Sequence, residues 1–532
     1  MDKRVMHHSR FPGSILLAAF VLAAVVPAAP APSGDEGGIL MFHGDPARTG
    51  WNSAERTLTA STARSLRKLW TVAVEGEIYA EPLVVPGLAM LGRVRTAVYV
   101  VTEQNRIYAL DAADGQRLWG PVLLGAPVPR ASLPCGNIDP VGITSTPVID
   151  RGAGTLYVAG LTTPDGGRSK VYKVAALDVK SGTIRPGWPA EIAPPAASGR
   201  RFDSGVQQQR GALLLQRGVL YVPFGGYWGD CGGYHGWVVG IPVASPAKQE
   251  AYATPTQRMG GIWAAGGPSA DPEGNLYVAT GNSDSGGSVD FGNSVLRLAT
   301  APALRFSGLA RDYFTPSNFL ALDETDTDLG SSTPLVLPDQ PGSATPHLLF
   351  IAGKQGVGYL INRDDMGGLS HGNGIGGEGL YSQCITGTCR GGGPKVFSAV
   401  AYWDGGPAGR FIFVPTYGEQ PPPCRGSGGI IALRLETPAG ARTSNFTVAW
   451  CSSSMRRPGS PAVSGSGQDG LVWIVDTQGG VLYALDARTG SEIFASSGQA
   501  ALGPTHQFIT PSVWGGRVYL GAGRMVVAYG LK

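Results

Sequence analysis

The chain has little charge for its length. Only 15% of its 532 residues are Asp, Glu, Lys or Arg, against about 25% in ordinary soluble proteins. The formal net charge is +3, which is too close to neutral to indicate nucleic acid or an anionic membrane surface as a partner. With 43% hydrophobic residues, the composition also excludes an acidic or basic disordered tail.

Long apolar runs and several common motifs are missing as well. Apart from a run of 12 residues from Ile15 to Val26, no apolar stretch approaches the ~20 residues of a membrane-spanning helix. The sequence has no CxxCH, no HExxH and no phosphate-binding loop, and Gly-x-Ser-x-Gly occurs only in degenerate form near Ser466. We therefore expect no membrane span, no covalently attached haem and no covalent nucleophile.

The N-terminus has the pattern of a secretory signal peptide. Lys3, Arg4 and Arg10 precede the apolar run, and small residues follow it. This pattern predicts a signal peptide of residues 1–29, cleaved after Ala29 or Ala31, and a short flexible segment of residues 30–39. The protein is then exported, to the periplasm of a bacterium or outside the cell. Loss of three basic residues and one acidic residue leaves a net charge of +1.

All six cysteines lie beyond this segment, and an even number in an exported chain indicates disulfide bonds. Several connectivities are compatible with six cysteines. We predict the pairs Cys384–Cys389, Cys424–Cys451 and Cys135–Cys231, the first only because its members are close in sequence.

Glycine and proline, in contrast, are abundant. The 80 glycines and 41 prolines are roughly double the average usage, and helices tolerate both residues poorly. Short strands rich in β-branched and aromatic residues recur along the chain, with their central residues 46 to 73 positions apart. These eight strands are Val98–Val100, Leu156–Val158, Leu220–Val222, Leu276–Val278, Leu349–Ile351, Phe411–Phe413, Val472–Ile474 and Val518–Leu520.

Other strands flank these eight. A strand opened by proline precedes most of them, and after several a third strand ends in a turn of the form Tyr-Ala-Leu-Asp-(x)3-Gly, as at Asp111–Gly115. In this turn the Asp side chain accepts backbone N–H groups and the glycine supplies a positive φ. Three or four short strands in each of eight repeats predict an all-β, eight-bladed β-propeller over residues 40–532. An early strand around Leu66–Trp70 would complete the last blade, and two or three tandem β-sandwiches are the alternative.

The repeat unit resembles that of the pyrroloquinoline quinone (PQQ) propellers, the quinoprotein alcohol dehydrogenase-like superfamily, over about residues 40–532. Relatives of this kind include dehydrogenases and also scaffolds that bind no cofactor, so the fold alone does not define the function. The resemblance implies that a cofactor site, where one exists, lies in the central channel.

Two segments resemble the dehydrogenases' cofactor site. Gly260–Trp263 followed by Thr280–Asn282 is similar to their central signature, which implies that Trp263 underlies the flat quinone and Asn282 binds Ca²⁺. Gly353–Arg363 is similar to the stretch whose lysine contacts the quinone, which makes Lys354 a candidate cofactor-binding and catalytic residue. Each residue also has a structural explanation, as a core aromatic, a turn residue and a surface lysine.

A third segment resembles the part of the dehydrogenases that holds the catalytic aspartate. Asp328 is the first candidate for the general base and for a calcium ligand, with Asp326 and Asp323 as alternatives. A calcium loop and a plain polar loop are the other interpretations.

The chain also departs from the family pattern. Gly160–Leu161–Thr162 stands where the family has a calcium-binding glutamate, and the family's pair of adjacent cysteines is missing. A calcium site without that glutamate would be weaker.

Two loops complete the candidates. The stretch Gly225–Trp237, rich in glycine and aromatics, contains His235, a candidate for proton transfer or substrate contact that has a structural alternative. We expect these loops at the rim of the channel, and Phe42–Asn52 is a candidate for the same face.

These observations predict an exported PQQ-like propeller, a dehydrogenase using PQQ and Ca²⁺ to oxidise an alcohol or sugar and pass electrons to an acceptor. The alternatives are a non-catalytic scaffold that binds protein or glycan partners through its rim, and a different enzyme that uses the same channel.

Overall fold

The computed structural model describes residues 37–391, 394–437, 443–452, 455–503 and 505–531. The predicted signal peptide and residues 30–36 lie outside this part of the chain, so the predicted domain limits stay a prediction. Within it, the strands form eight separate sheets arranged as a β-propeller, which confirms the predicted fold.

The sheets are numbered as blades 1 to 8 in the order of their first strands. Blade 1 contains Leu83–Met90, Arg93–Val101, Arg106–Asp111 and Arg117–Leu123. Blade 2 contains Val148–Asp150, Thr155–Thr162, Val171–Asp178 and Ala190–Glu191. Blade 3 contains Leu214–Gln216, Val219–Gly226, Trp237–Pro242 and Glu250–Ala253, with Gln207–Gln208 added to its second strand. Blade 4 contains Ser269–Ala270, Leu276–Ala279, Val295–Leu298 and Tyr313–Thr315, with Gly368–Leu369 on its outer edge.

The second half of the ring has the same plan. Blade 5 contains Leu335–Val336, Leu348–Ala352, Val357–Asn362 and Tyr381–Cys384. Blade 6 contains Ala401–Asp404, Arg410–Glu419, Ser427–Glu436 and Asn445–Cys451. Blade 7 contains Ala462–Ser464, Leu471–Asp476, Val481–Asp486 and Glu492–Ala495, with Trp51–Asn52 beside its first strand. Blade 8 contains Ser512–Trp514, Arg517–Ala522, Met525–Gly530 and, from the N-terminal part of the chain, Arg67–Ala73.

Helix is scarce in the described residues. The α-helix is Phe319–Glu324, and the short 3-10 turns are Ala63–Ser65, Arg130–Ser132, Ala310–Asp312, Leu329–Ser331, Gly406–Ala408 and Gly498–Ala500. Across the ranges given above, no helix has both the length and the apolar character needed to cross a bilayer.

Each of the eight predicted strands is the second strand of a blade and is almost fully buried. The ring closes as predicted, because Arg67–Ala73 pairs antiparallel with Met525–Gly530. Pairing the N-terminal strand with the last blade removes a free sheet edge.

The recurrent turns also join neighbouring blades. Asp111 accepts the N–H of Ala113 through its side chain at 2.9 Å, and Gly115 has a φ of +76°. A Cβ atom at Gly115 would come within 2.9 Å of the indole of Trp70 in blade 8, whose Nε1 donates to the carbonyl of Ala112 at 3.2 Å. Because only glycine leaves room for the indole, Trp70 of the neighbouring blade packs directly on the turn at Gly115.

The same contact recurs between other blades. Trp119 of blade 1 packs on Gly182 of blade 2, and Trp450 of blade 6 packs on Gly490 of blade 7. Both indoles donate to a backbone carbonyl of the adjoining turn, at 2.9 and 3.1 Å. The turn motif therefore stabilises blade–blade packing as well as the hairpin.

The first strands of adjacent blades contact one another, so they surround the central channel. One end of this channel is covered by residues 39–52, which we call the basal segment. It makes a hydrogen bond to the first strand of every blade or to the residue beside that strand. The chain partners are Val84, Ile149, Leu213, Ala270, Val336, Tyr402, Val463 and Val513.

Arg48 is the centre of the basal segment. Its side chain is 1% exposed and donates to the carbonyl oxygens of Pro268, Phe42 and Leu213 at 2.9–3.0 Å. Burial lowers the pKa of Arg48 to about 10, although Asp45 and Glu81 oppose the shift. The guanidinium therefore remains charged and ties the basal segment to blades 3 and 4.

All three predicted disulfides are confirmed. Cys135–Cys231, Cys384–Cys389 and Cys424–Cys451 are bonded, with Cα–Cα distances of 6.0, 5.8 and 6.0 Å. The first joins the loop that enters blade 2 to the loop between the second and third strands of blade 3, as the sequence predicted.

Candidate functional site

A cavity of about 840 Å³ opens at the end of the channel opposite the basal segment. Its walls come from two kinds of loop: those that connect one blade to the next, and those between the second and third strands of a blade. Trp263 and Phe397 lie on the first kind, and Asn282 and Lys354 on the second. A volume in the ~300–1,000 Å³ range suits a ligand of drug or cofactor size.

The structure brings Trp263, Asn282, Asp328 and Lys354 into this one cavity. Glycine makes their approach close. A Cβ atom at Gly281 would lie 2.7 Å from Asp328 Oδ1 and 2.8 Å from Trp263 Nε1. The carboxylate and the indole therefore both pack directly against the backbone of Gly281. Without a side chain at 281, blade 4 can hold both groups against the same wall.

Asp328 and Lys354 form a buried ion pair. Lys354 Nζ lies 2.5 Å from Asp328 Oδ2, and the two side chains are 9% and 3% exposed. The backbone N–H of Asn282 donates to Asp328 Oδ1 at 2.5 Å. Lys354 Nζ also donates to Asp326 Oδ1 at 2.8 Å, although that carboxylate is 67% exposed.

This environment changes the pKa values of both partners. Burial raises the pKa of Asp328 above its ordinary value, although Lys354 and the N–H of Asn282 oppose that shift. Burial alone would lower the pKa of Lys354, but Asp328 and Asp326 together raise it. Lys354 therefore stays protonated, and the pKa of Asp328 lies above its ordinary value, which makes the carboxylate a better proton acceptor.

A row of three aromatic rings, which we call the aromatic floor, lies beside Lys354 and Arg210: Trp263 and Phe397 line the cavity, and Phe508 lines a smaller cavity next to it. Trp263 and Phe397 have ring centroids 5.5 Å apart, and Phe397 stacks on Phe508 at 5.6 Å. Lys354 Nζ lies 5.4 Å from the Phe397 centroid, and the guanidinium of Arg210 lies 4.5 Å from that of Phe508. The floor therefore carries a cation at each end.

Arg210 differs from Lys354 in having no anionic partner. Within the described residues, its guanidinium makes no ion pair and no side-chain hydrogen bond, and burial lowers its pKa to about 10. It remains charged at neutral pH and faces the cavity. An unpaired, partly buried cation favours an anionic ligand.

The other sequence candidates lie elsewhere. Asp323 does not line the cavity; it accepts the N–H of Ser283 and the amide of Asn293, both at 2.8 Å. Burial, with Asp290 nearby, raises its pKa to about 6. His235 also lies outside the lining. Its Nδ1 is 3.3 Å from the hydroxyl of Thr256, and burial lowers its pKa to about 4.

The basal segment is also outside this cavity. Phe42 lines a separate small cavity together with Arg210 and Phe508. The order along the channel is therefore large cavity, Arg210 and Phe508, small cavity, basal segment. The structure does not place Phe42–Asn52 on the face that the sequence suggested, because its backbone hydrogen bonds hold it against the first strands.

The donor set does not favour calcium. Both oxygens of Asp328 already accept from Lys354 and from Asn282, and the described part of the chain has no group of three His, Cys, Asp or Glu that could hold a metal. Thr162, where the family has its glutamate, is buried, and its hydroxyl donates to the carbonyl of Val171 at 2.9 Å. The ammonium of Lys354 thus occupies the acidic oxygens that a cation would need.

Arg210, Phe397 and Phe508 were not among the residues singled out from the sequence. All three lie in loops that enter a blade, where no repeat pattern marks them. A cation next to a glutamine run, at Gln207–Arg210, was the available signal for Arg210.

Comparison with known proteins agrees with the fold. A family model described as outer membrane protein assembly factor BamB matches residues 31–268. A comparison with curated proteins finds no sequence match.

Solved structures resemble nearly the whole chain. The quinohemoprotein alcohol dehydrogenase ADHIIG from Pseudomonas putida HK5 is 17% identical, with 94% of this chain and 81% of that chain covered and a TM-score of 0.64. The quinohemoprotein alcohol dehydrogenase from Comamonas testosteroni is 16% identical, with 94% of this chain and 81% of that chain covered and a TM-score of 0.63. A europium-containing methanol dehydrogenase is 15% identical, with 92% of this chain and 90% of that chain covered and a TM-score of 0.60.

The protein is therefore an eight-bladed β-propeller whose fold is similar to that of these dehydrogenases. The resemblance noted in the sequence is confirmed at the level of the fold.

Proposed function

We propose that the protein is an exported dehydrogenase that binds PQQ in the cavity and oxidises an alcohol or sugar there. The observation that carries the proposal is the meeting of Trp263, Lys354 and Asp328 in one cavity of about 840 Å³. An aromatic ring surface, a buried cation and a carboxylate of raised pKa are the groups that this chemistry needs.

The cavity residues fit PQQ, which is planar and carries three carboxylates. Trp263 would support the ring system, and the unpaired guanidinium of Arg210 would bind a carboxylate. Lys354 would donate to a quinone oxygen from the other end of the floor. When bound, PQQ would supply an electrophilic quinone able to accept two electrons from the alcohol carbon.

Asp328 is the residue we assign to the proton of the substrate hydroxyl. Its side chain is buried, and the N–H of Asn282 holds one oxygen in place while Lys354 holds the other. Lys354 keeps Asp328 ionised despite burial, and a change in their contact would free the carboxylate to accept a proton. Asp326 also accepts a hydrogen bond from the Lys354 ammonium. The ammonium would therefore keep an anionic partner while Asp328 accepts the proton.

The predicted calcium site at Asn282 and Asp328 has less support than the predicted PQQ site. The ammonium of Lys354 already pairs with both carboxylates at this position. We therefore assign no step to a metal ion.

Export is supported by the three disulfides, which form in oxidising compartments. Cleavage of residues 1–29 or 1–31 would leave Pro30 or Pro32 as the first residue. N-terminal sequencing of protein recovered from the periplasm or medium of a bacterial host tests this, and retention of Met1 in that fraction would contradict it.

A non-catalytic scaffold is the second candidate, and the assembly-factor description of the matching family model favours it. That match ends at residue 268, before Asn282, Asp328 and Lys354. A scaffold has no need of a buried ion pair in an open cavity, so we place it second.

The test is titration of the purified protein with PQQ, followed by absorbance and by quenching of tryptophan fluorescence. We expect binding, and reduction of an artificial electron acceptor when alcohols or sugars are added. Trp263→Ala should weaken PQQ binding at least tenfold. Asp328→Asn should leave binding within threefold and lower turnover at least a hundredfold.

Lys180→Ala, at an exposed turn of blade 2, is the matched control for Lys354→Gln. The control should behave as the wild type, whereas Lys354→Gln should lose both binding and turnover. Absence of PQQ binding with and without added Ca²⁺ would refute the proposal and leave the scaffold as the better explanation.

A further inference from the structure

One aromatic side chain stands apart from the others. Trp228 is 68% exposed, and it is the one exposed aromatic residue in the part of the chain that the structure describes. It lines the large cavity, and no other ring in that part of the chain packs against its indole. An indole left in water at the wall of a cavity is a surface that a ligand can cover.

The loop that carries Trp228 is held in place on both sides. We call residues 227–236 the rim loop. Tyr227 before the tryptophan is 1% exposed, and Cys231 after it is bonded to Cys135.

Asp230 provides further anchors for the rim loop. Its side chain accepts the hydroxyl of Tyr234 at 2.5 Å, and its carbonyl accepts from Arg258 at 2.7 Å. The indole is therefore presented by a rigid loop, and little conformational entropy is lost when a ligand covers it.

The cavity also carries many neutral polar groups. Side chains with amide or hydroxyl groups line it, among them Asn137, Asn318, Thr325, Thr327, Gln355 and Gln507. The side-chain oxygen Oδ1 of Asn318 is buried and accepts no hydrogen bond from any described residue. Thr325, Thr327 and Gln355 also form hydrogen bonds within the chain. Amide and hydroxyl groups of this kind pair with the hydroxyls of a ligand.

We propose that Trp228 is a stacking platform for a sugar ring, so that the substrate is a carbohydrate rather than a simple alcohol. One face of a pyranose ring is lined by C–H groups and packs on an aromatic plane, while its edge presents hydroxyls. An exposed indole beside amide and hydroxyl side chains matches both surfaces. This inference rests on the proposed function only for the claim that the bound ring is oxidised; binding of the ring stands independently.

The experiment measures ligand binding to the disulfide-bonded protein without PQQ. The probes are glucose and maltose, with cyclohexanol and 1-butanol as comparators. Binding of each is measured by isothermal titration calorimetry and saturation-transfer NMR. We expect a sugar to bind, with transfer to its ring C–H protons, and at least tenfold tighter than cyclohexanol. Trp228→Ala should weaken sugar binding at least tenfold, and Trp228→Phe no more than threefold.

Leu309→Ala is the matched control, since Leu309 is 52% exposed and lies outside the cavity lining. It should bind the sugar as the wild type does. Absence of sugar binding, equal binding of cyclohexanol, or no effect of Trp228→Ala would each overturn the inference. So would a concentration-dependent dimer in sedimentation velocity that Trp228→Ala abolishes, because the indole would then be an interface between copies of the chain.

A PQQ titration on the same samples separates this inference from the proposed function. Trp228→Ala should retain PQQ binding within threefold, because Trp228 lies on the rim loop and not on the aromatic floor. Sugar binding without PQQ binding would refute the dehydrogenase and keep the platform, and the reverse result would refute the platform alone.

Discussion

The two ends of the channel both contain buried charge but use it differently. In the basal segment, Arg48 is surrounded by backbone carbonyls, and Glu81 accepts the N–H of His43 at 2.9 Å. In the cavity, Lys354 and Asp328 pair with each other beside open space, and Arg210 has no anionic partner among the described residues. Charge at the closed end is satisfied by the chain itself, whereas charge at the open end is left available to a ligand.

The largest effect should come from the closed end. Arg48→Ala would leave three carbonyl oxygens unpaired and two nearby carboxyl groups without their cation. We expect the free energy of unfolding to fall by about 3–5 kcal/mol, measured by denaturant or thermal unfolding. Arg130→Ala, at an exposed arginine, is the control and should change it by less than about 0.5 kcal/mol. Equal stability of the two variants would show that the basal segment does not hold the ring.

At the open end, Lys354→Met should have an effect that depends on pH. Without the ammonium, the folded-state pKa of buried Asp328 would rise further above its unfolded value. The variant should lose about 3 kcal/mol of stability at pH 7 and recover it as the pH falls toward about 4, because Asp328 is protonated in both states only below its unfolded-state pKa.

The control for this variant is the double substitution Lys354→Met with Asp328→Asn. It removes the buried carboxyl group and should abolish the pH dependence of the loss. A loss from Lys354→Met that is the same at pH 5 and pH 8 would contradict the ion pair.

Glu81 should give the closed end a pH dependence of its own. Burial raises its pKa from 4.5 to about 8, with the N–H of His43, Ser512 and Arg48 opposing. Because the folded pKa is above the unfolded one, stability should be intact below pH 4.5 and fall as the pH rises toward 8, by about 1 kcal/mol per unit.

Glu81→Gln keeps the shape and the acceptor without the titration. It should match the wild type near pH 4.5 and exceed it at pH 8 in thermal unfolding. A wild-type curve that is flat between pH 5 and pH 8, or a variant that is less stable at pH 8, would argue against a buried neutral carboxyl group.

The smallest effect should be that of calcium. Since the ammonium of Lys354 already pairs with Asp328 and Asp326, PQQ affinity in excess chelator should be within about threefold of that in millimolar Ca²⁺. Fluorescence titration measures both. A tenfold or larger gain with Ca²⁺ would restore the metal site predicted from the sequence.

The blades and the disulfides could be predicted because their signals are local. An alternating strand, a turn such as Asp111–Gly115 and a nearby cysteine pair are each visible within a few residues. The basal segment has no such signal: Trp51 donates to the carbonyl of Gly465, 414 positions away. Its role depends on backbone groups, which every residue possesses.

The candidate site was partly predictable for a similar reason. Trp263, Asn282, Asp328 and Lys354 lie in segments with recognisable neighbours. The sequence could not separate Asp328 from Asp323, because the difference between them is burial and orientation: one meets Lys354, and the other supports Ser283 and Asn293. His235 and Arg210 show the same limit, since only the folded loops decide which of the two faces the cavity.

The basal segment also bears on how the molecule assembles. Its residues are synthesised before those of the eight blades, yet their partners Val463 and Val513 lie in blades 7 and 8, which follow the other six along the chain. Blade 8 itself needs Arg67–Ala73. Blade 8 and the contacts of the basal segment are therefore completed only when the two ends of the propeller meet, so the ring closes in a single late step. A chain that ends before residue 513 lacks the last partner of its basal segment.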